Sequence, residues 1–234
     1  MFGSVFGAFA CAIIGLAADT FIRKTVFFET VLLWNTLARL INYLVVGILV
    51  ARLKSQLEMQ TELALTDTKT GALNARAFRK LLSSEIIRSR RFNHSFSVVF
   101  FDLDNFKILN DRLGHATGDR ALHQIVSICR SVIRQTDEIG RLGGDEFALL
   151  FPETTEDEAQ EILKRLNLEL NAEMVKSGWP VTFSMGLLTL IDASIFSVDH
   201  ILDQADKLQY EAKRGGKNTI CSKTISAQSP WVAE

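Results

Sequence analysis

The sequence predicts an α+β chain: a ferredoxin-like split βαβ sheet preceded by two apolar helices and a helical connector. Three observations carry that expectation. Apolar runs fill residues 2–18 and 26–50, and a bilayer span needs about 20 such residues. A more polar stretch follows at 51–65, where Leu49, Leu53 and Leu57 recur four apart and Gln60 and Ala64 continue the line, as on one helical face. From residue 66 onward, β-rich runs alternate with amphipathic ones in the order β-α-β-β-α-β, with extra elements, which is the order of a split βαβ unit.

The first apolar run repeats small residues, Gly3, Gly7, Cys11 and Gly15, with Ser4, Ala8 and Ala12 beside them. Such a face lets membrane helices pack closely. A cleaved signal peptide would account for Leu16-Ala17-Ala18, but the positively charged leader is missing. The second run places Asn35, Arg39 and Asn42 on one face, and an arginine near mid-membrane should meet a partner helix or a polar cavity. A buried helix of a soluble domain is the alternative, although the run is longer than such helices carry. Arg52 and Lys54 favour a cytoplasmic side after the second run, whereas Arg23 and Lys24 argue the other way. At under three heptads, the connector reads equally as a plain stalk or a short parallel coiled coil.

With 234 residues the chain holds one ordinary domain plus an accessory segment. A net charge of −1 gives no case for general nucleic-acid binding. Cys11, Cys129 and Cys221 lack CxxC spacing, so neither a disulfide framework nor a zinc site is indicated. The domain opens with a turn-rich segment at 66–76 and a helix at 77–91, whose Arg88, Arg90 and Arg91 suit a helix C-terminus. A buried strand at 96–101 ends at Asp102. A short helix at 105–113 is followed by a break over 114–119 and a helix at 119–133 with Leu122, Ile125, Val126 and Cys129 in stripe. A hairpin centred on Gly143-Gly144 comes next, since glycine supplies the positive φ of tight turns. Helices at 155–176 and 199–214 and strands at 181–190 and 219–221 complete the domain.

The chemistry gathers at two acidic strand ends. Arg141-Leu142-Gly143-Gly144-Asp145-Glu146-Phe147 carries two carboxylates on the hairpin turn, and Phe101-Asp102-Leu103-Asp104-Asn105-Phe106-Lys107 closes the central strand. A lone Gly-Gly-Asp-Glu would read as a solvated turn. Two strand ends delivering carboxylates together form the layout of a two-metal phosphoryl-transfer site, because hard cations take oxygen ligands.

These stretches together closely resemble the GGDEF family, the diguanylate cyclases, from about residue 65 to about residue 221. The resemblance implies a palm of the nucleotide-cyclase type that condenses two GTP into cyclic di-GMP and two pyrophosphates across a homodimer. It implies two Mg²⁺ ions per site, with Mn²⁺ as a substitute, held by Asp102, Asp145, the Leu103 carbonyl and Glu146. Asp145 would be the general base, and Lys107 would stabilise the triphosphate. Asn110 and Asp119 match the guanine readers and His115 a substrate-side position. Lys213 and Lys217, in Ala212-Lys213-Arg214-Gly215-Gly216-Lys217-Asn218, match a phosphate-binding end, with Lys217 where arginine is usual. Arg134 and Asp137, at their spacing before the hairpin, match an inhibitory site for the product.

The opening motif, Asp67-Thr68-Lys69-Thr70-Gly71-Ala72-Leu73-Asn74-Ala75-Arg76, departs from the family pattern. Lys69 and Ala72 replace leucines and Ala75 an arginine, which bears on how the connector docks. The GTP requirement places the domain in the cytoplasm, on a bacterial inner membrane. The expected layout is a transmembrane region at 1–50, a connector at 51–65, the cyclase domain at 66–223 and a tail at 224–234. Rival readings are a cyclic di-GMP receptor, another palm-type nucleotidyl enzyme and a membrane-assembly protein.

Overall fold

A computed structural model describes residues 7, 9–16, 29–63, 65–191 and 196–226. The chain divides into two compact units, Met1–Ala64 and Leu65–Glu234. In the first, residues 9–16 are helical and α1 (Glu29–Leu63) runs unbroken. Among the described residues, Val31–Ser55 is the one stretch long and apolar enough to cross a membrane. Leu33, Trp34, Leu44, Leu49 and Leu53 are exposed along it. The other expected span, residues 2–18, lies partly outside the described residues. Within it, a Cβ at Gly15 would meet the Arg39 guanidinium at 2.9 Å, so this small residue does admit a close approach. Span and connector are continuous because nothing in the sequence between residues 29 and 63 breaks a helix.

The second unit is a mixed sheet of six strands in the order β1-β3-β4-β2-β5-β6. These are β1 (Leu73–Asn74), β2 (Phe96–Asp104), β3 (Glu138–Gly143), β4 (Glu146–Phe151), β5 (Thr182–Leu190) and β6 (Ile220–Ile225). The inner four are mutually antiparallel, and β1 and β6 join β3 and β5 in parallel at the two edges. Among the described residues, five helices connect them: α2 (Ala75–Phe92), α3 (Phe106–Leu113), α4 (His115–Val132), α5 (Glu156–Lys176) and α6 (Val198–Arg214).

Strand β2 is apolar on both faces because both are covered. Val99, Phe101 and Leu103 join one core with residues of α4 and α5. Val98 and Phe100 join the other with residues of α2 and α6. Helix starts are fixed locally. Asn74 accepts the Ala77 N–H at 2.9 Å to cap α2, and Thr155 with Glu158 forms a capping box on α5. Helix α6 lies close on β5: a Cβ at Gly186 would meet the Ala205 carbonyl oxygen at 2.2 Å and the Gln209 nitrogen at 2.4 Å.

Several boundaries differ from expectation. Strand β2 continues past Asp102 to Asp104, because Asp104 is anchored across the sheet. The expected break over 114–119 shrinks to Gly114, whose φ of 81° ends α3, and α4 begins at His115. Strand β6 extends to Ile225, which pairs with Leu190 and is buried, so residue 225 is core and not tail. Residues 227–234 of the expected tail lie outside the described residues. Strand β1 was not expected; two residues carry no readable alternation.

Candidate active site

Asp102 and Glu146 are opposite each other in the β2–β4 ladder, and opposed residues of antiparallel strands share a face. Asp145 sits in the turn between β3 and β4. Gly143 and Glu146 pair across this two-residue turn, and Gly144 takes φ 42°, at the first central position where a type II′ turn requires glycine. Arg141 clamps the turn: its guanidinium donates to the Gly144 carbonyl at 2.9 and 2.6 Å and to Asp67 at 3.0 Å. From α6, Lys213 Nζ reaches Asp102 Oδ2 at 2.7 Å. Three acids and one cation therefore meet where β2, β4 and the end of α6 converge.

The electrostatics are under-neutralised. Burial pushes the Asp102 carboxyl above its usual range, and the charges of Asp145 and Asp104 add to the rise against the opposing pull of Lys213. Glu146 is raised by partial burial first, then by Asp102, Asp206 and Asp145. Asp206, in α6, was not singled out in the sequence. Among the described residues, no three His, Cys, Asp or Glu side chains converge tightly enough to hold an ion by themselves. The donor set that fits a divalent cation is carboxylates completed by a main-chain carbonyl, with the repulsion between the acids as the deficit a cation relieves. Leu103 buries its side chain, so only its carbonyl is available for that part.

Asp104 is a different kind of acid. It is buried and accepts from Thr182 Oγ1 and Ser184 Oγ, each at 2.9 Å, and from the Asn218 N–H at 3.2 Å. It ties β2 to β5 and to the loop that carries Lys217, whose Nζ donates to Asn105 at 3.1 Å. The signal was present in two hydroxyls alternating on β5.

Lys107 is exposed in the first turn of α3, and His115 is exposed at the start of α4. Asn110 Oδ1 is buried with no hydrogen-bond partner and lies against Gly118, where a Cβ would stand 2.0 Å from it. Asp119 follows directly and receives Lys69 Nζ at 2.9 Å. Arg134 and Asp137 meet through the main chain: Asp137 Oδ2 accepts the Arg134 N–H at 2.8 Å, and burial raises the Asp137 carboxyl. They line a separate cavity of about 220 Å³ with Arg130, Gln135 and Glu138. Ala72 is fully buried, and Lys69 sits on Asp119.

A mixed sheet with a carboxylate corner where β2 and β4 meet the turn, and a buried amide acceptor on α3, define an α+β domain with an acidic site. The profile described as "Diguanylate cyclase, GGDEF domain" matches residues 64–219. The chain belongs to that family. It is 34% identical over 169 residues to diguanylate cyclase DgcP of Pseudomonas aeruginosa, covering 71% of this chain and 25% of that protein. It is 34% identical over 155 residues to diguanylate cyclase DgcS of Shewanella oneidensis, covering 66% and 51%. The chain thus spans between a quarter and about half of these curated relatives' length. The GGDEF domain of DgcB from Caulobacter crescentus, solved in complex with c-di-GMP, superposes with a TM-score of 0.62 at 27% identity over 68% of this chain and 95% of that one. The form of DgcB with its coiled coil gives 0.63 at 27% identity, over 80% and 98%.

Proposed function

We propose that this chain is a membrane-anchored diguanylate cyclase. Two GTP molecules react, the 3′-hydroxyl of each attacking the α-phosphorus of the other; two P–O bonds form, two pyrophosphates leave, and cyclic di-GMP results. The observation that carries the reading is the corner of Asp102, Glu146, Asp145 and Lys213. Asp145, on the hairpin turn, accepts the proton of the attacking hydroxyl. Lys213 neutralises Asp102 in the resting site and turns to the triphosphate when substrate enters, joined by Lys217 and Lys107. Asn110 and Asp119 hold the guanine, and His115 borders the substrate. Mg²⁺ bound by Asp102, Asp145, Glu146 and the Leu103 carbonyl would supply charge neutralisation on the phosphates.

Each domain holds one GTP, so chemistry requires two domains face to face. α1 is suited to bring them together, a role supported by the coiled coil that precedes the domain in DgcB. Val31–Ser55 would anchor the assembly in the inner membrane, with residues 2–18 as a second span and the domain in the cytoplasm. Arg134 and Asp137 bind product and slow the enzyme. The test is Mg²⁺-dependent formation of cyclic di-GMP from GTP by the full chain in membrane vesicles, beside Asp145→Asn. Product from the parent and none from the variant supports the reading. If neither makes product while the parent still binds cyclic di-GMP, the protein is a receptor.

A further inference from the structure

Lys69 occupies a family leucine position, and its place in the tertiary structure gives it a use. Its ammonium donates to both oxygens of Asp119, at 2.9 and 3.1 Å, across fifty positions of sequence. The turn that carries it is pinned. Asp67 Oδ1 accepts the Thr70 N–H at 2.9 Å and the Thr70 hydroxyl at 2.7 Å, and the Gly71 N–H and Asp67 N–H close backbone bonds at 2.8 Å. Arg130 donates to the Gly71 carbonyl at 2.6 Å, and Ala72 is fully buried beneath. Beside Asp119, Asn110 Oδ1 is a buried acceptor with no partner, a vacancy that a ligand donor would satisfy.

We infer that Lys69 is a third base-reading residue, which donates to O6 of the guanine held by Asn110 and Asp119. The inference rests on the guanine-binding role proposed above for those two residues. Guanine sets an acceptor, O6, beside its N1–H and 2-amino donors. A carboxylate that takes the two donors therefore lies next to O6, and an ammonium within hydrogen-bond distance of that carboxylate is within reach of O6. Lysine carries its charge on a flexible stem with three rotatable donors, so it gives one hydrogen to O6 while keeping one on Asp119. The resting pair is about half exposed on both sides, and such pairs yield easily; the bond gained is charge-assisted. Leucine has no donor for O6. Adenine presents an amino group there, so the ammonium would meet donors instead of an acceptor.

The test uses the full chain in membrane vesicles and measures equilibrium binding of three nucleotides. They are GTP, ITP, which lacks the 2-amino group, and 6-thio-GTP, which keeps N1–H and the 2-amino group and replaces O6 by a weakly accepting sulfur. The parent is expected to prefer GTP to the 6-thio nucleotide by about tenfold. Lys69→Met should erase that preference by weakening GTP about tenfold, leaving the 6-thio nucleotide unchanged and lowering ITP in step with GTP. Equal loss on all three nucleotides, or tighter GTP binding, overturns the inference. Asp119→Asn separates the two levels of argument. If it loses the preference for GTP over ITP while Lys69→Met changes nothing, only the role of Lys69 fails. If it keeps that preference, Asp119 does not read guanine and the inference falls with that assignment.

Discussion

Asp102 and Asp104 lie two residues apart on one strand and point to the same face, yet they do opposite things. Asp104 is surrounded by donors, two hydroxyls and a backbone N–H, and is buried. Asp102 has the Lys213 ammonium and, against it, the charges of Asp145 and Asp104. A carboxylate whose lone pairs are filled by the protein fixes structure. One held among like charges with a single ammonium partner keeps capacity for ligands that arrive from outside. Asp137 stands between the two: it accepts the Arg134 N–H and also lines the cavity beside that turn.

The comparison breaks most visibly in activity. Asp145→Asn should lower cyclic di-GMP synthesis by about 10³-fold or more, with the melting temperature nearly unchanged; Asp102→Asn should behave alike. Asp104→Ala should do the reverse in kind. It strands two hydroxyls and an N–H, so unfolding free energy should fall by about 3 kcal/mol, seen as a lower urea midpoint. If Asp104→Ala left stability intact, the contrast between the two acids would be lost.

Asp137→Asn comes next. The amide oxygen still accepts the Arg134 N–H, so the turn survives, while product inhibition should weaken by about tenfold, measured as the cyclic di-GMP concentration that halves the rate. Because the folded Asp137 carboxyl is raised, its contribution to stability is complete below the unfolded pKa and is lost as pH rises through the folded one. The variant should therefore be no less stable than the parent at pH 7, and a clear loss would show that the charge itself holds the turn.

The smallest effect is expected at Glu146. Its folded pKa is also raised, so the same sign applies: the parent loses stability as pH climbs above the ordinary glutamate value of 4.5. Glu146→Gln should melt at most about two degrees higher than the parent at pH 7, since solvent screens this exposed group. The gap should close in acid, and millimolar Mg²⁺ should close it at pH 7. A gap that Mg²⁺ leaves untouched would mean that the corner does not take the ion.

Much of this molecule was legible as a string. Strand β2, the glycine turn before Asp145 and Glu146, the acidic start of α5 and the apolar stretch within α1 each follow from local period, turn chemistry or length, which neighbours in sequence determine. The acids of the corner could be named because they sit at strand ends. What the string did not contain was who meets whom. That Asp104 is an anchor depends on Thr182 and Ser184 in β5. That Lys213 faces Asp102 depends on α6 lying close on Gly186, and that Lys69 covers Asp119 depends on a loop pinned to α4 by Arg130. Strand β1 and the reach of β6 to Ile225 exist because a parallel neighbour offers hydrogen bonds that no local signal announces. Residue type and period set the elements and the candidate chemistry of this protein; hydrogen bonds and charges between residues distant in sequence decided which acids are filled, because satisfaction of a buried polar group is a property of its surroundings and not of the residue.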